Sequence, residues 1–216
     1  MKEICRGQAI RWVLGLLIAA PIVMMTLDLP VSRWCFTHQN WGEPWNEFRR
    51  WLMLSEIFGH AWGAVLAGFA VYLLDPARRH VFFRLVFAVF AAGIAPNLVK
   101  LVLVRYRPRF FLDDAFPGAA ENIRQTFGGF PTAFLSGLQG FPSGHSALAC
   151  ATAVVLIRLY PRGKILFAAL AALVMIQRVV ASAHFPSDTL IGAAMGIFVA
   201  TLCMPRETIL DNLAAA

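Results

Sequence analysis

The chain is 216 residues long, 59% hydrophobic and only 14% charged, with a mean hydropathy of +0.65. A soluble domain runs at about 45–50% apolar and about 25% charged, which excludes water as the main solvent. The formal charge of +7 and the pI near 9.8 do not indicate nucleic acid, because most basic residues flank long apolar runs instead of forming a patch with interleaved aromatics. Anionic lipid headgroups or a phosphorylated substrate are the fitting partners.

The first apolar run, near 10–28, follows Lys2, Arg6 and Arg11, an order that suits a signal peptide as well as a first spanning helix. It ends Thr26-Leu27-Asp28-Leu29-Pro30 with no small-x-small cleavage site, and we read it as a retained helix. Residues 29–55 carry Trp34, Trp41, Trp45 and Trp51 among charges, the mixture of an interfacial segment. Further apolar runs fall near 56–74, 81–104, 144–160, 164–181 and 189–204. Each approaches the roughly 20 residues a spanning helix needs. Breakers separate them at Asp75-Pro76-Ala77-Arg78-Arg79, Tyr160-Pro161-Arg162-Gly163-Lys164 and Phe185-Pro186-Ser187. The prediction is an all-α, polytopic membrane protein: one six-helix bundle over residues 1–216.

Segment 109–141 is long for a connection in a compact bundle. It reads as a lid on the substrate side, with Phe110, Phe111, Phe116, Phe127, Phe130 and Phe134 on the membrane surface, or as a poorly ordered excursion. Cys5, Cys35, Cys150 and Cys203 are scattered without metal-ligand spacing, so neither a zinc site nor a disulfide framework is indicated. Cys35 reads as lying in an exterior loop.

Six spans put both termini on one side. Lys2, Arg6, Arg11, Arg78, Arg79, Arg84, Arg158, Arg162, Lys164 and Arg206 share that side, against Arg33, Arg49, Arg50, Arg105, Arg109 and Arg124 on the other, where Lys100, Arg107 and Arg178 also lie but are set aside as functional. The bias places the termini in the cytoplasm, with the loops after the third and fifth spans facing outward.

Ionisable residues at membrane depth are costly and mark function by default. Here they fall in three blocks. Lys100 and Arg107, seven residues apart before Pro108, return to nearly one face if the helix continues, and two such cations can close on an anion. Snorkelling anchors at a helix end would look the same. The second block, Phe141-Pro142-Ser143-Gly144-His145-Ser146, opens the fourth span, where free N–H groups make an anion site. It also fits an ordinary cap. The third block runs from Arg178 through His184 to Asp188 across the fifth and sixth spans. Pro186 opens a helix there, and a carboxylate in its first turn can accept a hydrogen bond from one ring nitrogen and present the other as a nucleophile. A dipole-stabilising Asp188 and an interfacial His184 are the plainer reading. The predicted topology brings all three blocks to one membrane face.

In order and spacing, KxxxxxxRP, PSGH and RxxxxxHxxxD resemble the type 2 phosphatidic acid phosphatase family, which includes bacterial lipid phosphatases and the related, usually soluble, vanadium haloperoxidases. The resemblance covers the chain from about the third span onward. It implies that His184 attacks phosphorus, that Asp188 orients and stabilises its imidazolium, and that His145 protonates the leaving alkoxide. Lys100, Arg107, Arg178, Ser143 and the Gly144 backbone would hold the phosphoryl oxygens. Gln177 stands where the family commonly has serine, which removes one expected phosphate hydrogen bond. The expected activity is metal-independent hydrolysis of an amphiphilic lipid phosphate or diphosphate, with no cofactor and no acidic cluster for Mg²⁺. The expected location is the outer, periplasmic face of a bacterial inner membrane. Lipid-to-lipid phosphotransfer is the alternative within the family, and anion transport the alternative outside it.

Overall fold

The computed structural model describes residues 2–39, 41–112, 123–128 and 139–204, and these are helical, with no strand among them. Helix α1 (Lys2–Thr26) and the short α2 (Asp28–Thr37) precede α3 (Trp45–Leu54), which passes through a 3-10 turn at Ser55–Gly59 into α4 (Ala61–Leu74). A second 3-10 turn, Pro76–Val81, leads into α5 (Phe82–Lys100). The one-turn α6 (Pro108–Phe111) is followed by α7 (Gly144–Leu159), α8 (Lys164–Val180) and α9 (Pro186–Cys203).

Four helical stretches are long and apolar enough to cross a bilayer: Gly7–Thr26, Pro76–Lys100, Pro161–Val180 and Pro186–Cys203. Trp45–Gly59 and Ala61–Leu74 together make a fifth, bent by 66° at their junction. Helix α7 has only 16 residues, short of the roughly 20 that span a bilayer. The predicted second span is therefore a broken helix rather than a straight one starting at residue 56. His60 takes extended backbone (φ −104°, ψ 149°) and interrupts it. Gly63 permits the fold-back, since a Cβ there would lie 1.8 Å from the Ile57 carbonyl oxygen.

Helix α7 sits at the centre, packed against α5, α8 and α9. Its Ala147, Ala149, Ala151 and Val155 are fully buried. Close approach to α9 depends on Gly192 and Gly196, one turn apart: a Cβ on either would fall 2.2 Å from the Ser143 carbonyl oxygen and 2.1 Å from that of Ala147, respectively. Small residues four apart are the usual device for close helix crossings in membranes. This crossing sets the start of α7 beside the start of α9.

The outside is apolar. Trp12, Ile18, Trp62, Phe83, Phe87, Ile165, Leu166 and Phe198 are exposed, far more large apolar side chain than a soluble surface presents. The protein is an all-α membrane protein.

The interfacial segment 29–55 is two helices rather than a loop. Trp34, Trp41 and Trp51 are exposed, and Trp34 meets the edge of Trp45 with centroids 5.3 Å apart. Cys35 is not exterior but buried with Leu52 and Val180. Phe111 is likewise buried, its ring centroid 6.5 Å from that of Phe185. The remaining expectation of a lid lies mostly outside the described residues, including Phe116, Phe130 and Phe134.

Candidate active site

The loop between α8 and α9 is built tightly. Ala183 N and His184 N both donate to the Arg178 carbonyl, at 3.1 and 3.3 Å. Ser182 takes a positive φ of 52°, a left-handed conformation that costs a serine on the order of 1–3 kcal/mol. It is held there by Arg109 N donating to its carbonyl at 3.1 Å and Gln39 Nε2 donating to its Oγ at 3.0 Å. Pro186 then starts α9, and Asp188 accepts from Phe185 N at 2.8 Å.

His184 is 2% exposed, and its Nδ1 lies 2.6 Å from the Gly140 carbonyl oxygen. A carbonyl only accepts, so Nδ1 carries the proton and Nε2 keeps its lone pair. Burial, then the nearby cations Arg107, Lys100 and Arg178, hold the ring well below the usual imidazole pKa, with the Gly140 bond opposing them. The ring is neutral and fixed in one tautomer, the state a nitrogen nucleophile needs.

That hydrogen bond corrects the predicted geometry. Motif spacing makes Asp188 the direct acceptor from the ring, but its Oδ2 stays 4.0 Å from Nδ1. Its oxygens are taken by Phe185 N and by Arg105.

Arg105 and Asp28 are the residues that sequence reasoning missed. Both are fully buried, with Arg105 Nη2 2.8 Å from Asp28 Oδ2 and Nη1 paired with Asp188. Arg105 also donates to Ser187 Oγ at 2.9 Å and Thr126 Oγ1 at 3.1 Å, and its guanidinium carbon lies 4.2 Å from the Phe185 ring centroid. Asp28 accepts from Ser187 N at 2.9 Å. By position alone Arg105 reads as a flanking charge. The signal that could have found the pair is the cost of charge at membrane depth: Asp28 closes an apolar run and Arg105 lies inside one motif.

Ser143 is the N-cap of α7. Its Oγ accepts from Ser146 N at 3.3 Å and lies 3.0 Å from Ser146 Oγ, while its own N–H donates to the Asp188 carbonyl at 3.0 Å. The side chain expected to hold a phosphoryl oxygen is thus fully buried and accepts twice from Ser146, and neither bond uses its own O–H proton. Gly144, by contrast, opens onto free space, with nothing within 4 Å of where a Cβ would be. His145 follows in the first turn, 30% exposed, its ring centroid 5.9 Å from that of His60 and its Nε2 3.5 Å from Glu56 Oε1.

Lys100 and Arg107 do not share one helical face, because α5 ends at Lys100 and the chain is extended at Arg107 (φ −76°, ψ 146°), ahead of Pro108. The structure still brings them together: Lys100, Arg107 and Arg178 lie within electrostatic reach of both His145 and His184. Among the described residues neither Lys100 nor Arg107 has a carboxylate ion pair, and Arg107 Nε is buried without a hydrogen-bond partner. Burial, then Arg109 and Arg178, push the Arg107 pKa below its usual range. Lys100 and Arg107 converge without an ion pair of their own, although the Asp188 charge acts on both, which is how an anion site looks before the anion arrives. Among the described residues no three His, Cys, Asp or Glu side chains are grouped to hold a metal.

Comparison with known proteins identifies the family and the fold. Residues 81–208, more than half of the chain, match the PAP2 superfamily, and the chain belongs to that superfamily.

Two curated relatives carry a more specific name. A lipid A 1-phosphatase of Rhizobium johnstonii is 33% identical over 126 residues, covering 57% of this chain and 45% of that protein. A lipid A 1-phosphatase of Rhizobium etli is 32% identical over 105 residues, covering 49% and 41%. The match thus spans less than half the length of these relatives. A crystal structure of a transmembrane PAP2-type phosphatidylglycerolphosphate phosphatase from Bacillus subtilis has the same fold, with a TM-score of 0.56 over 94% of this chain and 96% of that one at 18% identity.

Proposed function

We propose that this protein is a lipid phosphate phosphatase working through a phosphohistidine, with the phosphorylated headgroup in the site and the acyl chains in the bilayer. The observation that carries the reading is the pairing of a buried, neutral His184, its Nδ1 bonded to Gly140, with the cations Lys100 and Arg107, neither of which has a carboxylate ion pair among the described residues.

In this reading Nε2 of His184 attacks phosphorus in line as the bond from phosphorus to the lipid oxygen breaks. His145, protonated by a proton that enters with the phosphorylated headgroup, gives that proton to the leaving oxygen. A water then attacks the phosphohistidine, His145 takes a proton from it, and inorganic phosphate departs with His184 restored. Lys100, Arg107, Arg178 and the Gly144 N–H hold the equatorial oxygens, supplying the charge stabilisation that phosphoryl transfer requires. No step calls for a metal ion. Asp188 acts from 4.0 Å as a charge facing the imidazolium side of the ring and as the anchor of its loop.

Among amphiphilic phosphates, the 1-phosphate of a lipid A-type glycolipid is the first candidate, supported by the names of the two relatives. Phosphatidylglycerophosphate is the second. The site faces outward, with both termini cytoplasmic, on the arginine and lysine bias of the loops. The whole chain acts as one catalytic domain.

The test is inorganic phosphate release by detergent-purified protein in EDTA, across a panel of lipid phosphates, beside His184→Ala. Release from one substrate class by the wild type alone is the expected result. Release by His184→Ala at the wild-type rate would remove the nucleophile; transfer of labelled phosphate to a second lipid without release would make the protein a phosphotransferase.

A further inference from the structure

The break in the second crossing delivers a residue that none of the motifs contains. The 3-10 turn Ser55–Gly59 packs against α7 and α8, and Gly59 sits so close that a Cβ there would lie 3.0 Å from the His145 carbonyl oxygen and 2.5 Å from Val174 Cγ1. Glu56 projects from this turn toward Arg178. Its Oε1 accepts from Arg178 Nη2 at 2.9 Å, and its Oε2 accepts from Gln177 Nε2 at 3.2 Å. Gln177 closes the ring: its Oε1 accepts from Arg178 Nε at 2.6 Å.

Three side chains thus form a closed cycle in which each donor meets an acceptor. Gln177 is fully buried, and Met53 Sδ, 2.9 Å from its Nε2, takes its second N–H. The amide can therefore adopt one orientation only. Arg178, itself 8% exposed, is gripped on its Nε and Nη2, which leaves Nη1 and the remaining Nη2 proton to face a ligand.

We propose that Glu56 and Gln177 are positioning residues for the reaction: as a carboxylate–amide clamp they fix the Arg178 guanidinium so that its free edge meets the phosphoryl group. The glutamine that displaces an expected serine is then part of the phosphate site at one remove, acting through Arg178. The proposal rests on the reading of Arg178 as a phosphoryl-binding residue.

The hydrogen-bond polarity of the ring makes the clamp testable. In Glu56→Gln, an amide faces an amide, and whichever way either turns, one N–H meets another N–H or the guanidinium. In Gln177→Glu, two carboxylates face each other with no proton between them. In the double exchange Glu56→Gln/Gln177→Glu the cycle closes again: the carboxylate now at position 177 accepts from Arg178 Nε and from the amide now at position 56, whose carbonyl accepts from Arg178 Nη2. The exchange conserves net charge and volume.

The experiment measures kcat/KM on a lipid phosphate, the inhibition constant of inorganic phosphate, and thermal stability in detergent for the wild type, Arg178→Ala, both single variants and the double exchange. Each single variant is expected to lose on the order of 10²-fold in kcat/KM, the scale of a misplaced catalytic contact, and to bind inorganic phosphate about tenfold more weakly. The double exchange is expected to recover most of both. Single variants that bind phosphate like the wild type, or a double exchange no better than either single, would overturn the clamp. Wild-type turnover and phosphate inhibition in Arg178→Ala would instead overturn the phosphate-site reading on which it rests. A loss of thermal stability with unchanged phosphate binding would make the ring structural only.

Discussion

Arg105 Nη2 lies 2.8 Å from Asp28 Oδ2, and neither side chain is exposed to solvent. Through the same guanidinium Asp28 is joined to Asp188, so the segment after α1 is locked to the first turn of α9, four residues beyond the candidate nucleophile. Breaking a buried ion pair from one side costs about 3–5 kcal/mol, because the abandoned charge stays buried. Removing Arg105 abandons two carboxylates at once. Arg105→Met is therefore expected to unfold far below the wild type in detergent, while Asp28→Asn, which keeps an acceptor for Ser187, costs about 1–3 kcal/mol. Thermal melts followed by tryptophan fluorescence check this. Equal and small losses in the two variants would mean that the network contributes little.

Lys100 presents the opposite case. It is a cation near Arg107 with no carboxylate ion pair among the described residues, and on the proposed function its charge serves a ligand rather than the fold. Lys100→Met is expected to keep or raise thermal stability and to lower kcat/KM by about 10²-fold, the scale of losing one preorganised charge contact. A stability–activity trade of this sign is characteristic of functional sites. A variant that loses stability and keeps turnover would move Lys100 out of the site.

How much of this was legible in the sequence depends on range. The residues brought together as Lys100, Arg107, His145, Arg178, His184 and Asp188 follow from charge in apolar surroundings and from motif spacing, and Pro186 locates the start of α9 correctly. The orienting partner of His184 was not legible, because the Gly140 carbonyl is backbone and leaves no side-chain mark. Asp28 and Glu56 were hidden for another reason. Each sits at the edge of an apolar run, where a charge ordinarily reaches the interface, and only the tertiary packing of α2 and of the Ser55–Gly59 turn directs them inward. The bend between α3 and α4 was not legible because run length and composition carry no direction. Gly63 and His60, which produce it, look ordinary in a hydropathy profile.

The crossing of α7 and α9 yields a prediction about packing. A methyl on Gly192 would lie 2.2 Å from the Ser143 carbonyl oxygen, next to the Ser143 N–H bond to Asp188 at 3.0 Å. Gly192→Ala must push the two helix starts apart, at about 1–3 kcal/mol for overpacking. A shift of that kind also separates His145 from His184, so kcat/KM is expected to fall by about 10²-fold. Gly15→Ala, where nothing lies within 4 Å, serves as the control and should change neither melting nor turnover. Normal activity in Gly192→Ala would show that the site tolerates a wider crossing.

The burial of His184 predicts how stability depends on pH. In the folded protein the ring is held well below its ordinary pKa, first by burial and then by Arg107, Lys100 and Arg178, with Asp188 at 4.0 Å and the Gly140 carbonyl on the opposing side. The unfolded chain takes up a proton near the ordinary value of about 6.5, and the folded chain refuses it. Below that pH the unfolded state binds more protons, so stability falls as the pH falls, at up to about 1.4 kcal/mol per pH unit for this one group. Above it the contribution is constant. His184→Asn has no such group, so the stability difference between wild type and variant is expected to be flat from about pH 8 to about 6.5 and to shrink steadily toward about pH 5. Paired melts in one detergent across that range measure it, with every other titrating group common to both proteins. A difference that stays flat down to the acid end would mean that the folded protein protonates His184 as readily as the unfolded chain does, and the ring could not then be the neutral nucleophile of the reaction.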